Sequence, residues 1–311
     1  MDHTNSDTVQ RTDESEDTDT TRRSVEVVHD HNRITWEAVY QAVDPLEIVE
    51  QAREVNEYLT WARRTHQSER LFWDEELLSQ IRGRRVLEIG GGDGRMSVFM
   101  LALGAGHVTL QEITPSTEHI AKECLRQLDL DATIDVRVGD PLDIDLGGPY
   151  DVVIARRVVH HIPTAIEDEF VAMLASYTAD DGWVRVTDPA VNSPRLDALR
   201  WALPAPGRPS RFSKEKFAAW KEQDPHPDRD NSTRHVESLF RRHFREVHSE
   251  TTGGVSRLHR WVDSERYHDP ALRALNAIDS KVPERLQRWM AAFHSISASQ
   301  PIRPVGDPSL G

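Results

Sequence analysis

The sequence predicts an α/β fold: a three-layer sandwich on a mostly parallel sheet of seven strands, with a helical lid before the core and a helical insert near the C-terminal end. Three observations predict it. Apolar runs at Val86–Ile89, Val108–Glu112, Ile134–Val138, Tyr150–Ala155 and Trp183–Asp188 alternate with stretches of helical spacing, as in a parallel sheet covered on both faces. The first run passes directly into Gly90-Gly91-Gly92-Asp93-Gly94, a turn that lets backbone come closer to a ligand than any Cβ permits. Acids stand at the strand ends, Glu88, Glu112, Asp140 and Asp188, on the carboxyl edge where α/β sites form.

Residues 1 to 33 are rich in Asp, Thr, Ser and Glu and bury too little apolar surface to offset ordering, so a disordered acidic tail is expected. From 34 to 84 the spacing of Trp36, Val39, Tyr40, Val43, Val55, Tyr58, Leu59 and Trp61 predicts helices ahead of the core. The core, 85 to 190, begins with the first strand and a helix from Arg95 to Leu103 that places Met96, Phe99, Met100 and Leu103 on one side. Pro115 and Ser116 start the next helix, which runs to about Leu128. Strand four leads into Arg156-Arg157-Val158-Val159-His160-His161-Ile162, a helix from Thr164 to Ser176, an Asp180-Asp181-Gly182 turn and strand five.

Residues 191 to 301 are expected to cap the substrate and complete the sheet. Prolines at 189, 194, 204, 206 and 209 exclude one regular helix through that stretch, which is expected to arch over the carboxyl edge and carries Trp201. Helices near Lys214 to Glu222 and His235 to Arg242 precede a strand at Phe244 to Thr251. A helical insert, about Pro270 to Met290, separates it from a last strand at Phe293 to Ser299, with a flexible tail over 302 to 311. The one cysteine, Cys124, lies in a helix as a small apolar residue, and no intrachain disulfide can form. Without a long apolar run or a leader pattern, neither a membrane span nor a secretory signal is indicated, and a cytoplasmic location is expected.

A dinucleotide loop needs a third glycine three residues after the second. Arg95 follows Gly90 and Gly92 at that place, and Ser97 follows Gly92 and Gly94, so a pyrophosphate loop is disfavoured. Glu88-x-Gly90-x-Gly92-x-Gly94 instead resembles motif I of class I S-adenosylmethionine-dependent methyltransferases, and the resemblance continues in order through strand four to Ile162. It implies a Rossmann-like core with S-adenosylmethionine as cofactor. In that reading the loop, with Gly90, Gly91, Gly92 and Gly94, cradles the methionine moiety, and Glu88 sits near its charged groups. Asp140 accepts from the adenine amino group, and Ile113, Pro141 and Arg156 complete the expected cofactor set. Glu112 lies about 20 residues past the first glycine, the spacing that suits a ribose. The family usually joins its last two strands directly, so the insert is a departure; it resembles the C-terminal halves of some glycan, lipid or quinone methyltransferases.

A methyltransferase chiefly places a nucleophile in line with an activated methyl group, and a general base helps where the nucleophile is a hydroxyl. His160, His161 and Asp188 are the acid-base candidates. His161 also matches a histidine common in the family's segment even where it is not the base, and Asp188 before Pro189 also suits a turn. Tyr58, Trp61, His66, Arg157 and Trp201 are candidates for the substrate side and the lid; for Tyr58, Trp61 and His66 a structural aromatic stripe is the equal alternative. The Asn/Asp-Pro-Pro-Tyr/Phe motif of amino-methylating relatives is absent, since Ala155-Arg156-Arg157-Val158 stands there. This favours an O or C nucleophile on a small molecule, anionic or hydroxylated. A non-catalytic cofactor-binding regulator or scaffold is the rival, and RNA or protein methylation a third reading. No metal site is expected: Asp224, His226, Asp228 and Asp230 are interrupted by prolines and read as a solvated loop.

The net charge is −14, of which residues 1 to 33 supply −5 through nine Asp and Glu against four Arg. Lysine occurs only at 122, 214, 216, 221 and 281. An acidic, lysine-poor body resembles proteins of salt-accumulating halophiles, in which salt screens surface self-repulsion. Such acidity disfavours a nucleic-acid partner at ordinary ionic strength and says less in molar salt, so a small-molecule acceptor is expected on the chemistry of the site. The melting temperature is accordingly expected to rise steeply with potassium chloride into the molar range; a salt-independent melt would contradict the halophilic reading.

Overall fold

The computed structural model describes residues 30–130, 134–204, 208–221, 229–261 and 265–303. A helix whose described part is 30–40, α1, is followed by α2 (Pro45–Arg53), α3 (Val55–Thr65), α4 (Gln67–Phe72) and α5 (Glu75–Gln80). The core then runs β1 (Arg85–Ile89), α6 (Arg95–Ala102), β2 (His107–Glu112), α7 (Ser116–Leu128), β3 (Ile134–Val138), β4 (Tyr150–Arg156), α8 (Glu167–Tyr177) and β5 (Thr178–Pro189). After it come α9 (Pro194–Ala202), α10 (Lys214–Lys221), α11 (Thr233–His243), β6 (Phe244–Thr252), α12 (Glu265–Asp279), α13 (Glu284–Met290) and β7 (Phe293–Pro301).

The strands form one sheet in the order β3-β2-β1-β4-β5-β7-β6. Strands β1 to β5 pair in parallel, and β7 runs antiparallel between β5 and β6. Because β7 is reversed, its first residue, Phe293, pairs with Pro189 at the end of β5. The strand order turns at β1, with β2 on one side and β4 on the other, which opens a crevice at their carboxyl ends.

Alternation along each strand sorts side chains to two cores. Val86, Val108, Val152 and Ile154 face a cluster with α2, α3, α5, α6 and α7, whereas Leu87, Ile89, Val153 and Ala155 face one with α8 and α11. The N-terminal helices are built into the first core: Ile48, Leu59, Phe72, Trp73 and Leu77 are buried within it. Arg185 of β5, itself buried, ties α4 and α5 to the sheet by ion pairs to Asp74 at 2.5 Å and Glu76 at 2.8 Å and a bond to the Phe72 carbonyl. Cys124 is buried in α7 and its thiol is pushed up to about 12 by burial, so it is an inert packing residue.

Several expected boundaries move. Asp30–Arg33, assigned to the tail, belong to α1, and the rest of the tail lies outside the described residues. The Asp180–Gly182 turn is absorbed into β5, which starts at Thr178 and carries a register irregularity against β4 between Tyr150 and Val152. A short helix does form within the proline-rich stretch, because Pro194 stands at its first turn, where no N–H is needed, and the Ser193 hydroxyl caps it. At the C-terminal end Ile302 and Arg303 are tied down, Ile302 N to the His243 carbonyl and Arg303 to the Ala175 and Thr178 carbonyls; 304–311 lie outside the described residues. So does Asp224–Asp228, and among the described residues no cluster of metal-binding side chains occurs. No described helix is long and apolar enough to cross a membrane.

Since α3 shares the first core, Leu59→Ala is expected to cost about 2 to 5 kcal/mol, read as a lower denaturation midpoint in one cooperative transition. A separate early transition would show that the N-terminal helices fold as a detachable unit.

Candidate functional site

The glycine loop is shaped by the end of β2. Gly90 N donates to the Gln111 side-chain oxygen at 3.0 Å, Gly91 N to the Gln111 carbonyl at 3.0 Å, and Gly92 N to Glu112 Oε2 at 2.7 Å. Three successive N–H groups are therefore taken up within the protein, whereas a phosphate-binding loop would aim them at its ligand. Gln111 also donates to the Gly139 carbonyl at 2.6 Å and so couples the loop after β1 to that after β3. Left-handed backbone favours glycine at Gly90, Gly92 and Gly94. Gly92 has φ +62°, and a Cβ there would stand 3.0 Å from the Tyr40 hydroxyl; Gly94, at φ +75°, caps α6 in a left-handed conformation.

Above the loop lies a cavity of about 670 Å³, within the range that holds small ligands. Of the residues expected to hold the cofactor, Glu88, Gly90, Gly91, Gly92, Glu112, Ile113, Asp140, Pro141 and Arg156 line it, while Gly94 lies beneath as the helix cap. Tyr58, Arg157, His160 and His161 also line it. Trp61, His66 and Trp201 do not. Trp61 is 45 % exposed and borders a separate surface groove with Thr60, Arg64 and Arg273. His66 packs edge-on against Trp61, its ring 5.2 Å away. Trp201 packs with Phe217 and Trp220 of α10, since α9 and α10 turn their aromatic residues toward each other.

The carboxylates of the loop end are buried. Glu88 accepts from the Ser97 hydroxyl, and burial pushes its carboxyl up to about 8. Glu112 accepts from Gly92 N and from Ile113 N at 2.7 Å; burial raises it to about 7 against these bonds. Asp140 accepts from Leu142 N at 2.9 Å and shapes the turn after β3. Arg156 is paired with Glu69 of α4 and lies over the Phe72 ring, yet Glu69 Oε2 and Arg156 Nε are buried without a hydrogen-bond partner. Asn32 Oδ1, on α1, is orphaned in the same way and also lines the cavity. Buried polar atoms left open around a roomy cavity fit a polar ligand.

At the other end the turn 159–161 carries two histidines. His160 Nδ1 is hydrogen-bonded to Asp188 Oδ1, and Asp188 also accepts from Val159 N at 3.4 Å and His160 N at 3.3 Å. Asp188 is buried behind the imidazole rather than in the cavity lining. The His161 ring lies 4.2 Å from that of His160 and meets Trp36 of α1 edge-on. Arg229, also buried, holds the turn by donating to the Val159 and Ile162 carbonyls and pairing with Glu167 at 2.8 Å. The sequence reading missed Glu69, Asn32, Trp36, Tyr40, Gln111 and Phe293 as site residues. Gln111 carried a signal, its place at a strand end beside Glu112; the others reach the site only through packing.

The two raised carboxyls give a pH test. Glu88 and Glu112 hold their protons more tightly in the folded chain than at the ordinary value of 4.5, so their stabilising contribution is full below that pH and is lost as pH rises through about 7 and about 8. Melting temperature is expected to fall between pH 5 and 8, and Glu88→Gln to make that fall shallower; an unchanged profile in the variant would refute the burial effect.

Residues 58–223, more than half of the chain, match the methyltransferase domain family. The chain is similar to the ubiquinone biosynthesis O-methyltransferase of Bordetella avium, 31 % identical over 117 residues, which covers 37 % of this chain and 46 % of that protein. It is similar to the protein-L-isoaspartate O-methyltransferase of Erwinia tasmaniensis, 33 % identical over 117 residues, covering 37 % and 51 %. The chain thus spans about half the length of the curated relatives it matches. Among solved structures it is similar to an S-adenosylmethionine-dependent methyltransferase from Archaeoglobus fulgidus, at 16 % identity and TM-score 0.47, covering 76 % of this chain and 93 % of that one. With the family match extending from α3 through the glycine loop and past β5, the chain belongs to the methyltransferase domain family.

Proposed function

We propose that this enzyme methylates an oxygen or carbon nucleophile of a small molecule, with His160 as general base. One observation carries the reading: a single cavity joins the glycine loop to His160, whose Nδ1 is held by buried Asp188. When bound, S-adenosylmethionine supplies a methyl group already activated on a sulfonium. The loop end suits such a ligand, because Glu88, Asp93, Glu112 and Asp140 line it beside loop amides that are already engaged, and a bound cation would draw the buried Glu88 and Glu112 carboxyls toward their charged form. In this reading Glu112 accepts from the ribose hydroxyls, Asp140 from the adenine amino group, and Glu88, with Arg156, faces the methionine end.

Asp188 acts through His160 rather than on the acceptor. It receives Nδ1–H, which fixes the tautomer and leaves Nε2 as the basic nitrogen. His160 Nε2 then takes the proton that the acceptor hydroxyl loses as its oxygen takes the methyl group. Trp36 and Tyr40 of α1 line the cavity from above and limit water, so orientation can contribute about 7 to 11 kcal/mol, and the base a further 10²- to 10⁴-fold or so. The open, roofed cavity supports turnover over a scaffold role, and a small acceptor over RNA or protein, which would need a broad groove.

Transfer of labelled methyl from S-adenosylmethionine to a small-molecule extract tests the reading. His160→Gln is expected to lower turnover on the labelled acceptor by roughly 10²-fold or more with cofactor affinity nearly intact. Cofactor binding lost in parallel would make the histidine structural, and label recovered only in RNA or protein would replace the reading.

A further inference from the structure

We infer that Glu88 tells the charged methyl donor from its spent product: the sulfonium ionises this buried carboxyl, so binding of S-adenosylmethionine expels a proton that S-adenosylhomocysteine leaves in place. This rests on the S-adenosylmethionine reading and deepens it by assigning donor-product discrimination to one residue.

The two ligands differ by one methyl group and one positive charge, so a group that responds to charge separates them best. Five carboxyls stand among the described lining residues, Glu69, Glu88, Asp93, Glu112 and Asp140. Two of them have cations: Glu69 pairs with Arg156, and Asp93 with Arg95, which also reaches Glu47. Asp140 accepts from the Leu142 amide, and Glu112 from the amides of Gly92 and Ile113. Glu88 is held differently. It is 2 % exposed, and among the described residues its carboxyl accepts from the Ser97 hydroxyl of α6. The charged groups that face it are Arg156 of β4, which favours its ionised form, and Asp93 and Glu112, which oppose it. Tyr40 of α1, above the same acids, is pushed upward by burial and by their charge and stays neutral. Burial outweighs the rest and holds Glu88 up at about 8, so in the chain without ligand it carries a proton near neutral pH.

A cation in this end of the cavity reverses that balance. The ionised carboxyl gains from the charge beside it and the proton leaves to solvent, so affinity for the cation rises with pH until Glu88 ionises unaided above about 8. The uncharged product provokes less release. Glu112, held at about 7, answers to the ribose hydroxyls that both ligands carry, and its contribution cancels in their ratio. Discrimination in favour of the donor therefore grows with pH. Because Glu88 is buried, salt screens the effect little. Once transfer has turned the sulfonium into a thioether, Glu88 regains a proton from solvent and no longer holds the ligand by charge.

Calorimetry of the full chain with S-adenosylmethionine and with S-adenosylhomocysteine tests this, in two buffers of different ionisation enthalpy so that released protons are counted. The range is about pH 5.5 to about 7.5, below the ordinary titration of an α-amino group. The ratio of donor to product affinity is expected to rise about tenfold or more across it, with more protons released by the donor than by the product. Glu88→Gln is expected to keep the ratio constant within about twofold. Ser97→Ala, which deletes the bond that favours the ionised carboxyl, is expected to move the rise to higher pH. A ratio independent of pH in the parent protein, or a rise that persists in Glu88→Gln, overturns the inference. Should Glu88→Gln fail to fold, Ser97→Ala decides, and an unshifted rise there overturns it as well. Failure of both ligands to bind at any pH would strike the cofactor reading instead, and this inference with it.

Discussion

The site depends on the hydrogen bonds by which two residues at the end of β2 take up the amides of the glycine loop. Gln111 and Glu112 satisfy Gly90, Gly91 and Gly92, and Gln111 reaches on to the Gly139 carbonyl, so three strand ends are locked into one surface. Unpaired amides in so buried a place would be costly, and pairing them sets the left-handed turns that only glycine adopts without strain. In the proposed reading the same bonds bear on the ligand, because they take up three amides that a phosphate-binding loop would aim at its ligand, beside carboxyls that suit a cation. The Thr117 hydroxyl donates to the Gly92 carbonyl, and Glu37 of α1 accepts from Ser116 at the start of α7, so the roof is fastened to the helix that backs the loop.

Burial gives these carboxylates their character. Glu88 and Glu112 are pushed upward because the apolar faces of β1 and β2 and of α6 enclose them, not because one strong neighbour acts on them. A carboxyl held in that way gains from a cationic or hydroxyl-bearing ligand, since the ligand replaces solvation that folding removed. At the far end the buried carboxylate behaves differently: Asp188 receives two backbone N–H groups and an imidazole, so its charge serves to orient His160. One edge of one sheet thus carries two acidic environments with separate tasks, set by what surrounds each group.

The N-terminal helices join these ends. They bury Leu59, Phe72 and Trp73 in the same core as α6, and they send Trp36, Tyr40, Tyr58 and Glu69 into the cavity. Arg185 fastens the junction of α4 and α5 to β5, and α4 carries the Glu69 that pairs with Arg156. The reading of these helices as a lid describes where they lie, while their packing makes them part of the domain.

Strand and helix positions, the glycine loop and the acids after β1, β2 and β3 were legible in the sequence, because each is a local pattern: period-two or helical spacing, a glycine turn, and a carboxylate at a strand's end, which parallel pairing brings to a shared edge. The two histidines after β4 were legible for the same reason. Tertiary structure alone decided which residues meet. Tyr58 and Trp61 lie one turn apart on α3, yet Tyr58 faces the cavity and Trp61 a surface groove, since helical spacing does not say which neighbour covers a given turn. Asp188 became the partner of His160, and Glu69 that of Arg156, through contacts across 28 and 87 residues of chain. Local sequence carries propensity and periodicity; it does not carry the distance between two side chains whose elements are brought together only when the sheet closes and its helices pack.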